Sequence, residues 1–182
     1  MPGFGNPVPG RSPDIGNYRV GRGFLSAQFS TDASPVDMGN CPMFEFAVKP
    51  TTLPHYSTRQ GVQTKDFVAV TRLEGTIDMQ LDEITGRNMG LAVLSLSSQS
   101  GSDTVVIMSD PLFYAKLIFT DTSSVGPQWQ FTFPLVLFTP QKAVSLISQG
   151  SGAWTLIDLQ CDVLKDPVTA SFGWATAAYN FT

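Results

Sequence analysis

Between Met43 and Leu81 the chain reads in twos. In "CPMFEFAVK" Met43 and Glu45 alternate with Phe44, Phe46 and Val48, which gives one apolar and one mixed face, as in a half-buried strand. Pro50 is expected to close that strand. Alternation resumes in "DFVAVTRLEGTIDMQL", with Ile77, Met79 and Leu81 on one side and Thr76, Asp78 and Gln80 on the other. Between them lies "LPHYSTRQGVQTKDF", too polar for a core, so residues 51–66 are expected to leave the body as a long loop.

From Thr85 the period changes. Met89, Ala92, Val93 and Leu96 recur at helical spacing, with Leu91 and Leu94 widening the stripe, and predict a helix of about three turns buried against a sheet. Thr85 or Asp82 is the expected cap, and Gly86 and Gly90 each cost about 1 kcal/mol against Ala, so packing must hold the helix. Strand patterns return in "DTVVIMS", "LFYAKLIFTD", "QWQFTFPLVLF", "AVSLIS" and "WTLIDLQCDVL". In the third, Trp129, Phe131, Phe133, Leu135 and Leu137 are expected on one face and Gln130, Thr132 and Val136 on the other, with Pro134 marking an edge or a bulge. In the last, Ile157, Leu159, Cys161 and Val163 oppose a polar row of Asp158, Gln160 and Asp162.

Upstream, Tyr18–Ser30 predicts a strand interrupted at Gly21 and Gly23, followed by turn chemistry in "TDASPVDMGN". Residues 1–16, "MPGFGNPVPGRSPDIG", hold too many Pro and Gly for regular structure and read as an extended arm that orders on a neighbour. Residues 17–182 are expected to form a single domain, mainly β, a β-sandwich or barrel with one short α-helix.

Composition agrees with a packed fold: 42% of residues are apolar and only 14% charged. The low charge implies a neutral surface suited to oligomers. A net charge of -4, with the eleven Lys and Arg scattered, argues against tight nucleic-acid binding. After Asn88 the bases are Lys116, Lys142 and Lys165, against Asp103, Asp110, Asp121, Asp158, Asp162 and Asp166, which predicts acidic surface there. The longest apolar run, Met89–Leu94, is too short to span a bilayer, so membrane insertion is not expected and the chain reads as soluble and cytoplasmic. Cys41 and Cys161 lie far apart in strand-like segments and are expected to be reduced and buried.

Chemistry is sparse. The one histidine, His55, has no Cys or Asp at ligand spacing and reads with Tyr56 as a loop aromatic pair that packs on a neighbouring strand or subunit. Asp82 and Glu83 could do acid–base work, but before a helix they read as capping charges. "GFGNPVPG" follows no strand and is no phosphate loop. No catalytic residue, cofactor or metal is expected.

Residues 38–94, "MGNCPMFEFAVKPTTLPHYSTRQGVQTKDFVAVTRLEGTIDMQLDEITGRNMGLAVL", resemble the core of the major tail tube proteins of long-tailed bacteriophages. In that family a "GNCP" turn leads a strand, "HYS" opens a long loop, "TKD" starts the return strand and "LDEIT..N" begins the single helix; order and spacing match. The Pro-rich first sixteen residues depart from the pattern. The resemblance implies a β-sandwich whose sheets join those of neighbours into a barrel, usually six subunits per ring, stacked into the tube through which the genome leaves the virion. It implies copies of itself, tape-measure and tail-terminator proteins as partners, transient passage of DNA, and a place in the virion tail after assembly in the host bacterial cytoplasm. On this reading Pro54, His55, Tyr56, Arg59, Lys65 and Asp66 belong to the inter-subunit loop, and Asp158, Gln160 and Asp162, or Asp78 and Gln80, line the lumen, where carboxylates repel phosphates. Two other readings stay open: a tube or needle protein of a contractile injection system, and a carbohydrate-binding sandwich using Trp129, Trp154 and Trp174.

Overall fold

Period-two apolar residues draw this chain into one antiparallel sheet. The computed structural model describes residues 20–59, 61–95, 104–110, 112–124, 126–140 and 155–178. The strands are β1 (Gly23–Phe29), β2 (Val36–Asp37), β3 (Met43–Ser57), β4 (Thr64–Leu81), β5 (Phe113–Asp121), β6 (Gln128–Phe138), β7 (Ile157–Val163) and β8 (Trp174–Ala178), with one helix, α1 (Gly86–Ala92), among the described residues. Their order is β2-β1-β5-β6-β7-β4-β3, and β8 pairs with β6. The expected arm over 1–16, the segment "AVSLIS" and Leu96 lie outside the described residues.

The expectation of a mainly β fold with a single short helix holds. Every second residue enters the core along β1 from Leu25, the last seven residues of β4, β5 as far as Leu117, and β7: Leu25, Ala27 and Phe29; Ile77, Met79 and Leu81; Phe113, Ala115 and Leu117; Ile157, Leu159, Cys161 and Val163. The layers are two flanks of one sheet. Phe44 of β3 stacks on Phe119 of β5 with centroids 5.2 Å apart, and Phe46 meets Phe133 of β6 at 4.9 Å. Since β4, β7 and β6 separate β3 from β5, those contacts require the sheet to curl over its apolar face. Cys41 and Cys161 are free thiols, Cys161 buried and Cys41 half-buried. Burial pushes the Cys161 thiol well above its ordinary pKa, and carboxylates at Asp162 and Asp78 add to the rise.

Three expectations about strands change. Pro134 lies in a central strand, not at an edge, and the bulge reading is the correct one. The β5–β6 register passes from Ala115↔Val136 to Leu117↔Phe133, so two residues of β6 oppose one of β5. The extra residue reverses the alternation: Phe131 and Phe133 are followed inward by Val136 and Phe138, not by Leu135 and Leu137. On its other side β6 pairs with β8 up to Thr132 and with β7 from Val136. Pro134 falls in that changeover, where its missing N–H removes no ladder bond. β8 itself carries no alternating signal and was not anticipated; Gly173 leads into it, and a Cβ there would lie 2.6 Å from the Thr132 carbonyl oxygen.

Second, Pro50 does not end β3. The strand continues to Ser57, with Pro50 opposite Leu73 and Pro54 opposite Val68. β3 is a sheet edge, and a proline there can turn its N–H-less side to solvent. Third, residues 104–110 form turns in place of the strand expected from "DTVVIMS". The Met108 and Asp110 amides donate to the carbonyls of Val93 and Leu94, which the end of α1 leaves without helical partners. Smaller shifts are that residues 20–22 are not in strand and β1 starts at Gly23, Tyr18 lying outside the described residues, and that the "TDASPVDMGN" turn contains β2.

Helix α1 is shorter than predicted, seven residues. Thr85 is its cap and accepts the Asn88 amide at 3.1 Å. Asp82 and Glu83 do not cap it: Asp82 accepts from the Asn40 side chain and Glu83 from the Asn40 amide at 3.2 Å, fastening the segment before β3. The buried face is Asn88 and Leu91, three apart, with Gly90, while Met89, Ala92 and Val93 are only partly covered. The Asn88 amide donates to the Met38 and Glu83 carbonyls, both at 2.9 Å. Arg87 lies over the Phe29 ring at 4.9 Å and pairs with Asp32, tying α1 to the β1–β2 turn. Removing a partner from a buried polar group costs about 1–3 kcal/mol. Asn88→Ala should therefore lower unfolding free energy by about 2 kcal/mol in urea titrations, and Asn88→Asp, which lacks the amide donors, should do no better.

Candidate assembly surfaces

Two surfaces grow out of the β3–β4 hairpin. β4 pairs with β7 only from Gly75↔Val163 to Leu81↔Ile157. Beyond Gly75 the hairpin leaves the sheet, β3 and β4 pairing only with each other from Lys49↔Glu74 to Ser57↔Thr64. At about 3.3 Å per residue that projection is about 35 Å long. The expected loop over 51–66 is thus corrected to a two-stranded arm, with a turn confined to the residues between Ser57 and Thr64.

The arm is apolar where the sequence looked polar. Register carries the core-facing row outward: Phe44 and Phe46 continue as Val48 and Pro50, and Met79 and Ile77 as Gly75 and Leu73. Past the bulge at Thr51/Thr52 come Val70 and Val68, paired with Thr52 and Pro54. Beyond Gly75 this row has no third strand beside it: Val70 is 63% exposed and Leu73 49%, and Leu53 and Phe67 on the opposite face are each 63% exposed. A lone two-stranded ribbon is marginal in water, and a contiguous apolar patch of this kind marks an interaction surface.

All six residues expected at the inter-subunit loop lie on this arm. Pro54, His55 and Tyr56 are in β3, Lys65 and Asp66 in β4, and Arg59 in the turn. The second irregularity, between His55 and Tyr56, leaves Asp66 as the extra residue and sets it 2.7 Å from His55 Nδ1. His55 accordingly has a partner within its own hairpin. Its hydrogen bond, with its charge, holds the Asp66 carboxyl below the ordinary range. A depressed carboxyl stabilises the hairpin above the ordinary carboxylate pKa, and that contribution is lost as pH falls through the lower value of Asp66 itself. In an NMR titration the Asp66 carboxyl should titrate at lower pH in the native chain than in His55→Ala; coincident curves would mean the pair does not form.

The second surface is the outer face of the same strands. The two rows proposed as alternative lumen linings are one surface: Gln80 pairs with Asp158, Asp78 with Gln160 and Thr76 with Asp162. Gln80 Nε2 donates to Asp158 Oδ1 at 2.8 Å, and Gln160 Nε2 to Asp78 Oδ1 at 3.1 Å. Glu45 of β3 lies opposite Asp78 and extends the face. Amide donors between carboxylates separate the like charges, so an acidic surface can be dense without strong self-repulsion. Glu45 was missed, although its place in the "FEF" alternation marks it for this face.

Trp129 and Trp174 do not form a platform. They oppose Ala177 and Thr132, positions three apart along the strand, and so face opposite sides of the sheet, while Trp154 lies outside the described residues. Among the described residues no group of three or more His, Cys, Asp or Glu could hold a metal, and no helix is long and apolar enough to cross a membrane.

No family model and no curated protein matches the sequence. The fold does have a solved counterpart, a chain in the six-fold symmetrised structure of the anti-feeding prophage (AFP) baseplate. The two superimpose with a TM-score of 0.50 over 78% of this chain and 88% of the other, at 8% identity. At that identity the likeness is one of fold.

Proposed function

We propose that this chain is a non-enzymatic structural subunit of a phage tail or related injection particle, one that self-assembles into stacked rings, six copies to a ring, and forms a tail tube for genome delivery. The observation that carries the reading is the apolar arm. It is a continuation of the core face that a single copy leaves in water, and copies placed side by side or in stacked rings would cover it. The counterpart of this fold in a six-fold baseplate supports the particle class, and the motifs of residues 38–94 support the tube role.

In such a tube the arm crosses to the next subunit or ring, and the free edge of β3 offers backbone groups to a neighbouring sheet. Pro54, Tyr56, Arg59 and Lys65 would then meet the neighbour, with apolar cover supplying most of the affinity and exposed ion pairs only about 0–1 kcal/mol each. The Glu45, Asp78, Asp158 and Asp162 face lines the bore. Fixed negative charge there keeps phosphates from binding as DNA passes. Tape-measure and tail-terminator proteins would contact the ring stack, which belongs in the virion tail after assembly in the host cytoplasm. A second reading, a ring at the baseplate end of such a tube, is favoured by where the solved counterpart resides.

Purified protein should form rings or tubes in negative-stain micrographs; open tubes favour the tail tube and discrete rings the baseplate position. Shortening the hairpin in register, with Thr52 joined to Val70 through Asn-Gly, should leave a folded monomer that neither stacks nor closes, and unchanged tubes would falsify the role of the arm. Tubes of the double variant Asp158→Lys, Asp162→Lys should assemble yet retain DNA, with retention that falls as salt rises. Equal DNA retention by native and variant tubes would rule out the lumen assignment.

A further inference from the structure

The curled sheet leaves a groove of about 500 Å³ between β3 and the β5–β6 pair. Phe44, Phe46, Phe119, Phe131 and Phe133 surround it, with Cys41 at one side. Phe46 is exposed and Phe44, Phe119 and Phe131 only partly covered, although the rings lie 4.9–6.4 Å apart and form the outer end of the core. A cluster of phenyl rings open on one side forgoes contacts that any apolar filler would restore.

Where the chain enters the described structure identifies a filler. Gly21, Arg22 and Gly23 form the rim of the groove, so residues 1–19 lead directly to it. Gly23 is where the backbone approaches most closely: a Cβ there would lie 2.5 Å from the Thr120 carbonyl oxygen and 2.6 Å from the Phe119 ring. The upstream sequence suits an aromatic seat. "FGNPVP", residues 4–9, offers one phenyl ring and two prolines, and Pro-rich segments dock into aromatic grooves because they are already extended and lose little entropy. Gly10 and Gly16 bracket "RSPDI" and give the chain two places to reverse. Arg22 at the rim of the groove offers a charge partner to Asp14, which lies between the two glycines.

We propose that the groove is the seat of this chain's own N-terminal segment, with Phe4–Pro9 folded back against the five phenyl rings. A tether of under twenty residues supplies an effective concentration on the order of millimolar, which favours the segment of the same copy over that of another. The groove's size is within the range of small-ligand pockets. This inference is independent of ring assembly, and its test uses protein at a concentration where it is monomeric.

Cys41 reports on the seat, and buried Cys161 is an internal control. A maleimide should label Cys41 about tenfold faster in a chain lacking residues 1–16 than in the full chain, with Phe4→Ala in between, since an occupied seat protects the thiol except when it opens. Circular dichroism of the shortened chain checks that faster labelling is not unfolding, as does unchanged protection of Cys161. In the full chain, Val8→Cys under mild oxidation should link to Cys41 within one molecule, found as a monomer with a joined peptide pair. Dimers joined through Cys41 would place the segment on a second copy and overturn the proposal. Equal labelling rates with no link formed would overturn it too, leaving the groove to another occupant.

Discussion

The pairing of β4 with β7 is the interaction on which the rest of this molecule depends. Seven residues of each strand run antiparallel, and their register assigns every side chain to a face. Inward it sets Ile77, Met79 and Leu81 beside Cys161, Leu159 and Ile157, and all six are buried. Outward it sets Asp78 and Gln80 beside Gln160 and Asp158, whose amides and carboxylates bond across the strands. A slip of one residue would exchange the faces, burying carboxylates and exposing the core. The energetic penalty of burying unpaired charge makes this register close to unconditional.

The place where that pairing stops matters as much. β7 ends at Val163, opposite Gly75, and the hairpin continues for eleven further residues of β4 without support. The apolar row does not end with it. A chain under selection for solubility as a monomer would change to polar residues at that point, whereas this one keeps Leu73, Val70 and Val68. Exposed edges invite indiscriminate pairing, and the arm carries devices that limit it: Pro50 and Pro54 on the free strand and two irregularities that twist the ribbon. Such a surface is made to be covered, but by a partner of defined shape.

The groove between β3 and the β5–β6 pair follows from the same curl. Bringing Phe44 onto Phe119 closes the sheet over its core, yet the closure is made by aromatic rings at one end and not by a continuing ladder. That leaves an opening of about 500 Å³ with Gly21, Arg22 and Gly23 at its rim.

What the sequence determined by itself was local. The strand character of β1, β4, β5 and β7, a helix starting near Thr85, the polar outer rows and the mainly β class all follow from side-chain period and short-range hydrogen bonding, which neighbouring residues fix. What only the tertiary structure decided was whatever needs a distant partner. The bulge that turns Val136 inward depends on β6 changing neighbours from β8 to β7. The persistence of β3 through two prolines depends on its being an edge, and the merging of the Asp158 and Asp78 rows into one surface depends on β7 lying beside β4. A polar-looking stretch became an apolar arm because pairing sorts Val68, Val70 and Leu73 onto one side, and strand pairing is a property of two segments, not of one.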